Sequence, residues 1–214
     1  MGAVEYKGVK IELLGHACFR VEGGGVVIYL DPYQIAEERR DGDIIVCSHD
    51  HFDHCSPEDI KKVAKPDAAI VAAKNCAAKV KGLATHLVLL SPGEEAEVKG
   101  VKIEAVPAYN VNKPYHPRGY GGIGVVITVA GVRIYHAGDT DFIPEMKELK
   151  DIDVALLPVS GTYVMTAEEA AEAAKAIRPK LAIPMHYGAI VGSRRDAEKF
   201  AELLKGVCEV KILL

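Results

Sequence analysis

The sequence predicts an α/β protein in which two layers of β-sheet lie between outer helices. Three observations carry that class. β-rich runs separated by glycine turns crowd the first part of the chain, and helical and strand patterns alternate after them. Long apolar runs such as Val125–Val129 need covering, which two stacked sheets provide. A faint internal echo completes the set: Val27-Ile28-Tyr29 leads to Asp31 and Arg133-Ile134-Tyr135 leads to Asp139, each followed by a helix and a buried strand.

In chain order, Val9–Leu14, Cys18–Val21 and Val26–Leu30 read as short strands, with Gly23-Gly24-Gly25 the clearest turn between them. Ile44–Cys47 is the next strand. Ser56-Pro57-Glu58-Asp59 has the form of a helix start, with Ser56 as N-cap and Pro57 at the first helical position. Ala68–Ala72, Leu87–Leu90 and Val101–Val106 are further strand candidates. Ile123–Val129 and Val132–His136 form a hairpin pattern around Ala130-Gly131, and Val154–Leu157 and Leu181–Ile183 are apolar enough for buried strands. Thr166–Ile177 is predicted helical, since Thr166 and Glu169 have capping-box spacing, and Ser193–Leu204 is a second such helix. Val210–Leu213 is expected to close the chain as a strand. Residues 107–122 break the pattern as a long loop, and long loops in compact domains are usually functional or disordered.

At 214 residues and 49% hydrophobic, the chain suits one domain, residues 1–214, with a sizeable core. Its net charge of −4 gives no basic footprint, so nucleic acid is not the expected partner and a small-molecule substrate is. No run approaches the roughly 20 apolar residues that span a bilayer, so no membrane is expected. The N-terminal Met-Gly-Ala-Val-Glu-Tyr-Lys-Gly lacks the apolar core of a secretory signal, and a cytoplasmic location is the expectation. The sequence leaves oligomeric state open, a homo-oligomer included. Five cysteines without short paired spacing indicate neither a disulfide framework nor a zinc ribbon. Cys47 and Cys55 flank the segment of most interest and read as small buried residues, with a ligand role for Cys55 as the lesser alternative.

That segment is Asp43–Pro57, where the apolar run Ile44–Cys47 stops and His49, His51, Asp53 and His54 follow within six residues. Imidazoles and carboxylates are ligands that zinc, iron and manganese accept. If the chain stays extended, His49 and His51 share a face, while Asp53 and His54 need a turn that aims them at a second point. One loop can thus begin two metal sites. Two later segments also end strands on metal-capable groups. In His136-Ala137-Gly138-Asp139-Thr140, Gly138 permits a tight turn presenting Asp139, whose two oxygens can bridge two cations. Ile183-Pro184-Met185-His186 puts His186 at the end of another strand.

Residues 49–54 match His-x-His-x-Asp-His, and with Gly138-Asp139-Thr140 and the late His186 the chain resembles the metallo-β-lactamase superfamily. The resemblance covers most of the chain and is nearest to small single-domain hydrolases, the branch of L-ascorbate-6-phosphate lactonase and N-acyl-phosphatidylethanolamine phospholipase D. It implies a four-layer αββα sandwich and two divalent metal ions, zinc first, with manganese or iron as alternatives. One cation would take His49, His51 and a third histidine, the other Asp53, His54 and His186, with Asp139 bridging. Asp53 or Asp139 would take up the proton of the attacking water.

The third histidine departs from the pattern. Relatives carry it in a segment like Pro-Ala-Tyr-His, but residues 107–110 here are Pro-Ala-Tyr-Asn. His116, six residues on, can fold back to replace it; Asn110 through its carbonyl oxygen, or no protein ligand at all, are the alternatives. The same loop carries Lys113 and Arg118, so Asn110, Lys113 and Arg118 are the candidate substrate contacts and an anionic, phosphorylated ester is a candidate substrate. Asp31 at a strand end, where the superfamily has an acidic residue, is expected to hold a ligating imidazole by its outer nitrogen, and His16 resembles a segment near the site, with a buried structural role as the alternative. Ser160-Gly161-Thr162-Tyr163 is a candidate pocket lining. The superfamily's tRNA-processing nucleases add a substrate-gripping arm not seen here, and its oxygen-reducing diiron branch has an acidic residue where His51 stands. The resemblance therefore implies a hydrolase. A metal-binding protein without turnover and a phosphodiesterase acting on nucleic acid are the alternatives.

Overall fold

A computed structural model describes residues 2–214. Four antiparallel strands open the first sheet: β1 (Gly2–Tyr6), β2 (Val9–Gly15), β3 (Cys18–Gly23) and β4 (Val26–Leu30). Three parallel strands extend it in sequence order: β5 (Gly42–Cys47), β6 (Ala64–Ala73) and β7 (His86–Leu90). The second sheet repeats the plan. β8 (Glu95–Val98), β9 (Val101–Pro107), β10 (Ile123–Val129) and β11 (Val132–His136) are antiparallel, and β12 (Val154–Pro158), β13 (Leu181–Met185) and β14 (Glu209–Val210) continue in parallel. The echo in the sequence is thus structural. Asp31 and Asp139 each follow the fourth strand of their sheet.

Parallel strands need crossovers, and the helices supply them. α1 (Pro57–Val63) and α2 (Ala77–Val80) follow β5 and β6, while α3 (Ala167–Ile177) and α4 (Arg194–Leu203) follow β12 and β13. The Asp59 amide donates to the Ser56 hydroxyl (3.3 Å), as the helix-start pattern predicts. The Asp59 carboxylate in turn accepts from the Gln34 and Ile35 amides (3.0 Å each), tying the chain after β4 to α1. The capping box of α3 is present in both directions: the Thr166 amide donates to Glu169 (2.8 Å) and the Glu169 amide to the Thr166 hydroxyl (3.2 Å). Its buried face is five alanines followed by Ile177, which lets α3 lie close on β12.

The two sheets share one continuous apolar core with the helices on their outer faces, the αββα arrangement expected. β5, β12 and β13 are buried along their whole length, as continuous apolar runs require. Tyr29, Tyr135 and Phe19 are among the largest fully buried side chains, each worth roughly 1.5–3 kcal/mol of burial. Two edge strands escape the sequence reading, because β1 and β8 are short, alternating and only half covered. The expected last strand is also shorter than Val210–Leu213. After Val210 the tail leaves the sheet edge and runs against Gly2, whose Cα would place a Cβ 2.8 Å from the Leu213 carbonyl oxygen. Among the described residues no helix is long and apolar enough to cross a membrane.

Because β4, β5, β11, β12 and β13 are linked by parallel pairings within their sheets, their C-terminal ends gather on one edge of each sheet. Asp31, the loop 48–54, Asp139, Ser160 and His186 all issue from those ends.

Candidate metal centre

Three residues at the site sit in a backbone region most side chains avoid. His16, Asp31 and His186 have φ of 51°, 46° and 61°, the left-handed region in which His, Asp and Asn are over-represented among non-glycine residues. Such strained positions gather at functional sites, and tertiary bonds hold these. The His186 amide donates to the His16 carbonyl (2.8 Å) and the Asp31 amide to the Val46 carbonyl (2.9 Å). Gly138 (φ 63°) completes the set, because a Cβ there would lie 2.7 Å from the Ile123 carbonyl oxygen. Only glycine lets β11 turn sharply enough to present Asp139.

The ligand-capable atoms form two adjoining groups, His49, His51, His116 and Asp139 in one and His16, Asp53, His54 and His186 in the other, each with its atoms within 4.8 Å of one another. In the first, His51 Nδ1 lies 3.1 Å from His49 Nε2 and 3.2 Å from His116 Nε2. In the second, Asp53 Oδ2 lies 3.0 Å from His16 Nε2 and 3.6 Å from His54 Nε2. Asp139 divides its carboxylate between them. Its Oδ1 is 3.2 Å from both His54 Nε2 and His186 Nε2, and its Oδ2 is 3.5 Å from His116 Nε2 and 3.9 Å from His49 Nε2.

Cations fit this arrangement. Ligand atoms about 2.0–2.1 Å from one tetrahedral zinc stand about 3.3 Å apart, close to the spacings seen. His54 Nε2, His186 Nε2 and Asp139 Oδ1, which face one another, are buried without a hydrogen-bond partner. Each such orphan costs about 1–3 kcal/mol unless something else satisfies it. The donors are nitrogen and carboxylate oxygen with no thiolate, since all five cysteines are free and none joins either group, Cys55 included.

Outer partners fix the rings, as metal-bound imidazoles require. Asp31 Oδ2 is 2.7 Å from His54 Nδ1, and Asp31 also accepts from the Ser48 amide (2.7 Å) and hydroxyl (2.6 Å). Ser48 Oγ is 3.0 Å from His49 Nδ1, so one aspartate orients a histidine in each group. Ser160 Oγ stands 3.2 Å from His186 Nδ1. Burial pushes the His49 imidazole well below its usual pKa, with the His54 ring adding to the effect. Burial opposes charge on His54 too, but the Asp139 and Asp31 carboxylates outweigh it and hold that ring well above the usual histidine value. Asp139, despite burial, is held well below the carboxylate range by His186 and His54.

The structure brings His116, not Asn110, into the first group. Asn110 stands behind it, accepting from the His116 amide (3.0 Å) and facing His116 Nδ1 (3.0 Å) with the same oxygen. Its own amide donates to the Tyr163 carbonyl (2.9 Å) and to Asp141 (3.2 Å). The loop cations are occupied as well. Lys113 pairs with Asp141 and lies 3.7 Å from Glu169, while Arg118 pairs with Glu145 at 2.8 Å and lies over the Tyr109 ring. The structure therefore does not bring Asn110, Lys113 or Arg118 to the cavity over the cluster, which His51, Asp53, His116, Asp139, Phe52, Tyr115, Tyr163 and Ile190 line. His136 is structural, with Nε2 2.9 Å from the Ala17 carbonyl.

Sequence reasoning missed Ser48 and Asp141, and it gave Tyr120 no role. The Tyr120 ring packs on His51, 5.4 Å between centroids, and its hydroxyl donates to Asp50. Ser48 was open to detection, since it follows a buried strand directly and precedes a ligand candidate. Asp141 carried no signal beyond lying two residues past Asp139.

A β-lactamase superfamily domain matches residues 10–186. A metal-dependent hydrolase of the UPF0173 group from Thermoplasma acidophilum is 37% identical over 207 residues, spanning 91% of this chain and 90% of that protein. A second, from Thermococcus onnurineus, is 34% identical and covers 96% of each. Among solved structures, the metallo hydrolase Igni18 of Ignicoccus hospitalis superposes with TM-score 0.79 at 28% identity, covering 96% of this chain and 94% of that one. The diiron β-hydroxylase CmlA of Streptomyces venezuelae shares the fold alone, with TM-score 0.73 at 14% identity, 99% of this chain covering 53% of it. Sequence match, sheet topology and clustered donors agree: the chain belongs to the metallo-β-lactamase superfamily, among the UPF0173 metal-dependent hydrolases.

Proposed function

We propose that the protein hydrolyses an ester-type bond of a small molecule at a pair of divalent cations, zinc first among the candidates. The observation that carries this reading is the carboxylate of Asp139, whose two oxygens face two separate groups of inward-pointing imidazole nitrogens. His49, His51 and His116 would hold one cation and Asp53, His54 and His186 the other, with Asp139 serving both. Once bound, such a pair supplies a water acidic enough to attack near neutral pH and a Lewis acid for the substrate oxygen.

The chain's own groups do the rest. Asp31 and Ser48 fix the tautomers of His54 and His49, so that Nε2 of each points inward. His16 holds Asp53 Oδ2, and Asp53 is the more open of the two central carboxylates, with 12% of its side chain exposed against 4% for Asp139. It lines the cavity and is placed to receive the water's proton. Nitrogen and oxygen donors suit zinc, and equally iron or manganese. Lys113 and Arg118, the cations that would suit a phosphorylated substrate, have their charges met by Asp141 and Glu145. That leaves a carboxylic ester, thioester or lactone as the better-supported substrate.

A panel of chromogenic esters, lactones, thioesters and phosphodiesters, assayed with zinc, manganese and iron, tests the reading. Metal-dependent turnover lost in a folded Asp139→Ala variant supports it. Two bound ions with no turnover on any of the panel would favour a metal-binding protein instead.

A further inference from the structure

Among the described residues, large apolar side chains exposed on the surface are few: Phe52, Val111, Tyr115, Ile190 and Val207. Three of the five, Phe52, Tyr115 and Ile190, line the single cavity of about 420 Å³ that also contains His51, Asp53, His116 and Asp139. Tyr163 completes its wall. Exposed apolar groups gathered at one place mark a binding surface, whereas single ones carry no meaning.

The wall is ordered. Tyr115 stands edge-on to Tyr163, 4.6 Å between ring centroids, and Phe52 stands edge-on to Tyr33 at 5.8 Å. Phe52 is 63% exposed although it lies between the ligand candidates His51 and Asp53. The Asn110 amide on the Tyr163 carbonyl and the Gly188 amide on the carbonyls of Val191 and Gly192 brace the two loops that carry Tyr163 and Ile190. Among the described residues no lysine or arginine lines the cavity, and Lys113 and Arg118, the cations of the neighbouring loop, are paired with acids. A larger hollow of about 510 Å³ bounded by Pro92, Tyr109, Arg118 and Glu145 shares no residue with the cluster and has charged groups at its rim.

We infer that the cavity selects an uncharged substrate with an apolar acyl or aryl group, held by Phe52, Tyr115, Tyr163 and Ile190 while its carbonyl meets the cluster. This rests on the hydrolytic reading given above and narrows its substrate class. For an ester the net step adds one water: the acyl carbon gains its oxygen, the acyl–oxygen bond breaks, and the alcohol leaves with a proton. The products are a carboxylic acid and an alcohol, and no oxidant or reductant is consumed.

Two measurements on the metal-loaded protein separate this inference from the reading beneath it. The first is calorimetric titration with neutral n-alkyl amides of two to eight carbons, which bind without being turned over readily. Affinity should rise by about fourfold for each methylene that enters the cavity, and the rise should flatten in Phe52→Ser and Ile190→Ser. The second is kcat/KM for p-nitrophenyl esters of the same chain lengths and for p-nitrophenyl phosphate. The esters should gain with chain length and exceed the phosphate by at least tenfold. Affinity and kcat/KM independent of chain length, or preference for the phosphate, would overturn the inference. So would a dimer in solution that Phe52→Ser dissociates, since the patch would then be a subunit contact. Chain-length-dependent amide binding without any ester turnover would leave the apolar cavity standing and remove the hydrolytic reading. Ester turnover without chain-length dependence would do the reverse.

Discussion

The two sheets are built to one plan, yet they return from their second strand to their third in different ways. In the first, β2 passes to β3 through His16-Ala17; in the second, β9 passes to β10 through residues 108–122. Both connections deliver a histidine to the cluster. The short turn has only two residues to order: His16 is fixed by its left-handed backbone and by its carbonyl's bond from His186. The long loop has to be ordered before His116 arrives, at roughly 1–2 kcal/mol of backbone entropy per residue. A polar network does that work, with Asn110 bonded to His116, Tyr163 and Asp141, and Asp141 accepting from the Val111 amide at 2.8 Å. Both groups draw on the loop 48–54, but one is completed by a histidine carried on a long loop and the other is braced by a histidine that the fold fixes. The cation of the His49, His51 and His116 group is expected to bind more weakly and exchange faster.

The strongest way to break this contrast is to remove what the two groups share. Asp139→Ala should release both ions and lower turnover on the order of a thousandfold or more, read by metal analysis and initial rates. Taking the two connection histidines one at a time sharpens it. His116→Ala should bring the ion count from two to one, whereas His16→Ala should keep two while weakening the second ion by about 10–100-fold, as loss of an outer partner does. Equal losses in the two variants would erase the distinction. Asn110→Ala acts a step further out and is expected to weaken the first ion by about 10–100-fold, with the count restored at high metal. The smallest effect belongs to Arg118→Ala. Its ion pair with Glu145 is exposed, worth about 0–1 kcal/mol, and its loss should change rates on neutral and anionic substrates alike by less than threefold.

Much of this was legible in the sequence because it is local. The loop 49–54 declares its ligands through spacing, Gly138 announces the turn before Asp139, and the capping pairs at Ser56 and Thr166 mark helix starts by rules that operate over three residues. What was not legible depends on residues far apart in the chain. Lys113 and Arg118 read as free cations because their partners, Asp141 and Glu145, lie 28 and 27 residues away. Choosing between Asn110 and His116 needed the path of a loop that no periodicity constrains. β1 and β8 were invisible for another reason: edge strands half covered on one face need few apolar residues. The echo between Asp31 and Asp139 was visible yet slight, and only the strand order gives it meaning.

The central claim is that two cations share the Asp139 carboxylate. Anomalous scattering from crystals soaked in zinc tests it most directly, since ion number, identity and ligands come from one map. Two peaks flanking Asp139, one against His49, His51 and His116 and the other against Asp53, His54 and His186, are the result expected. A single peak, or two peaks of which one makes no contact with Asp139, would contradict the account.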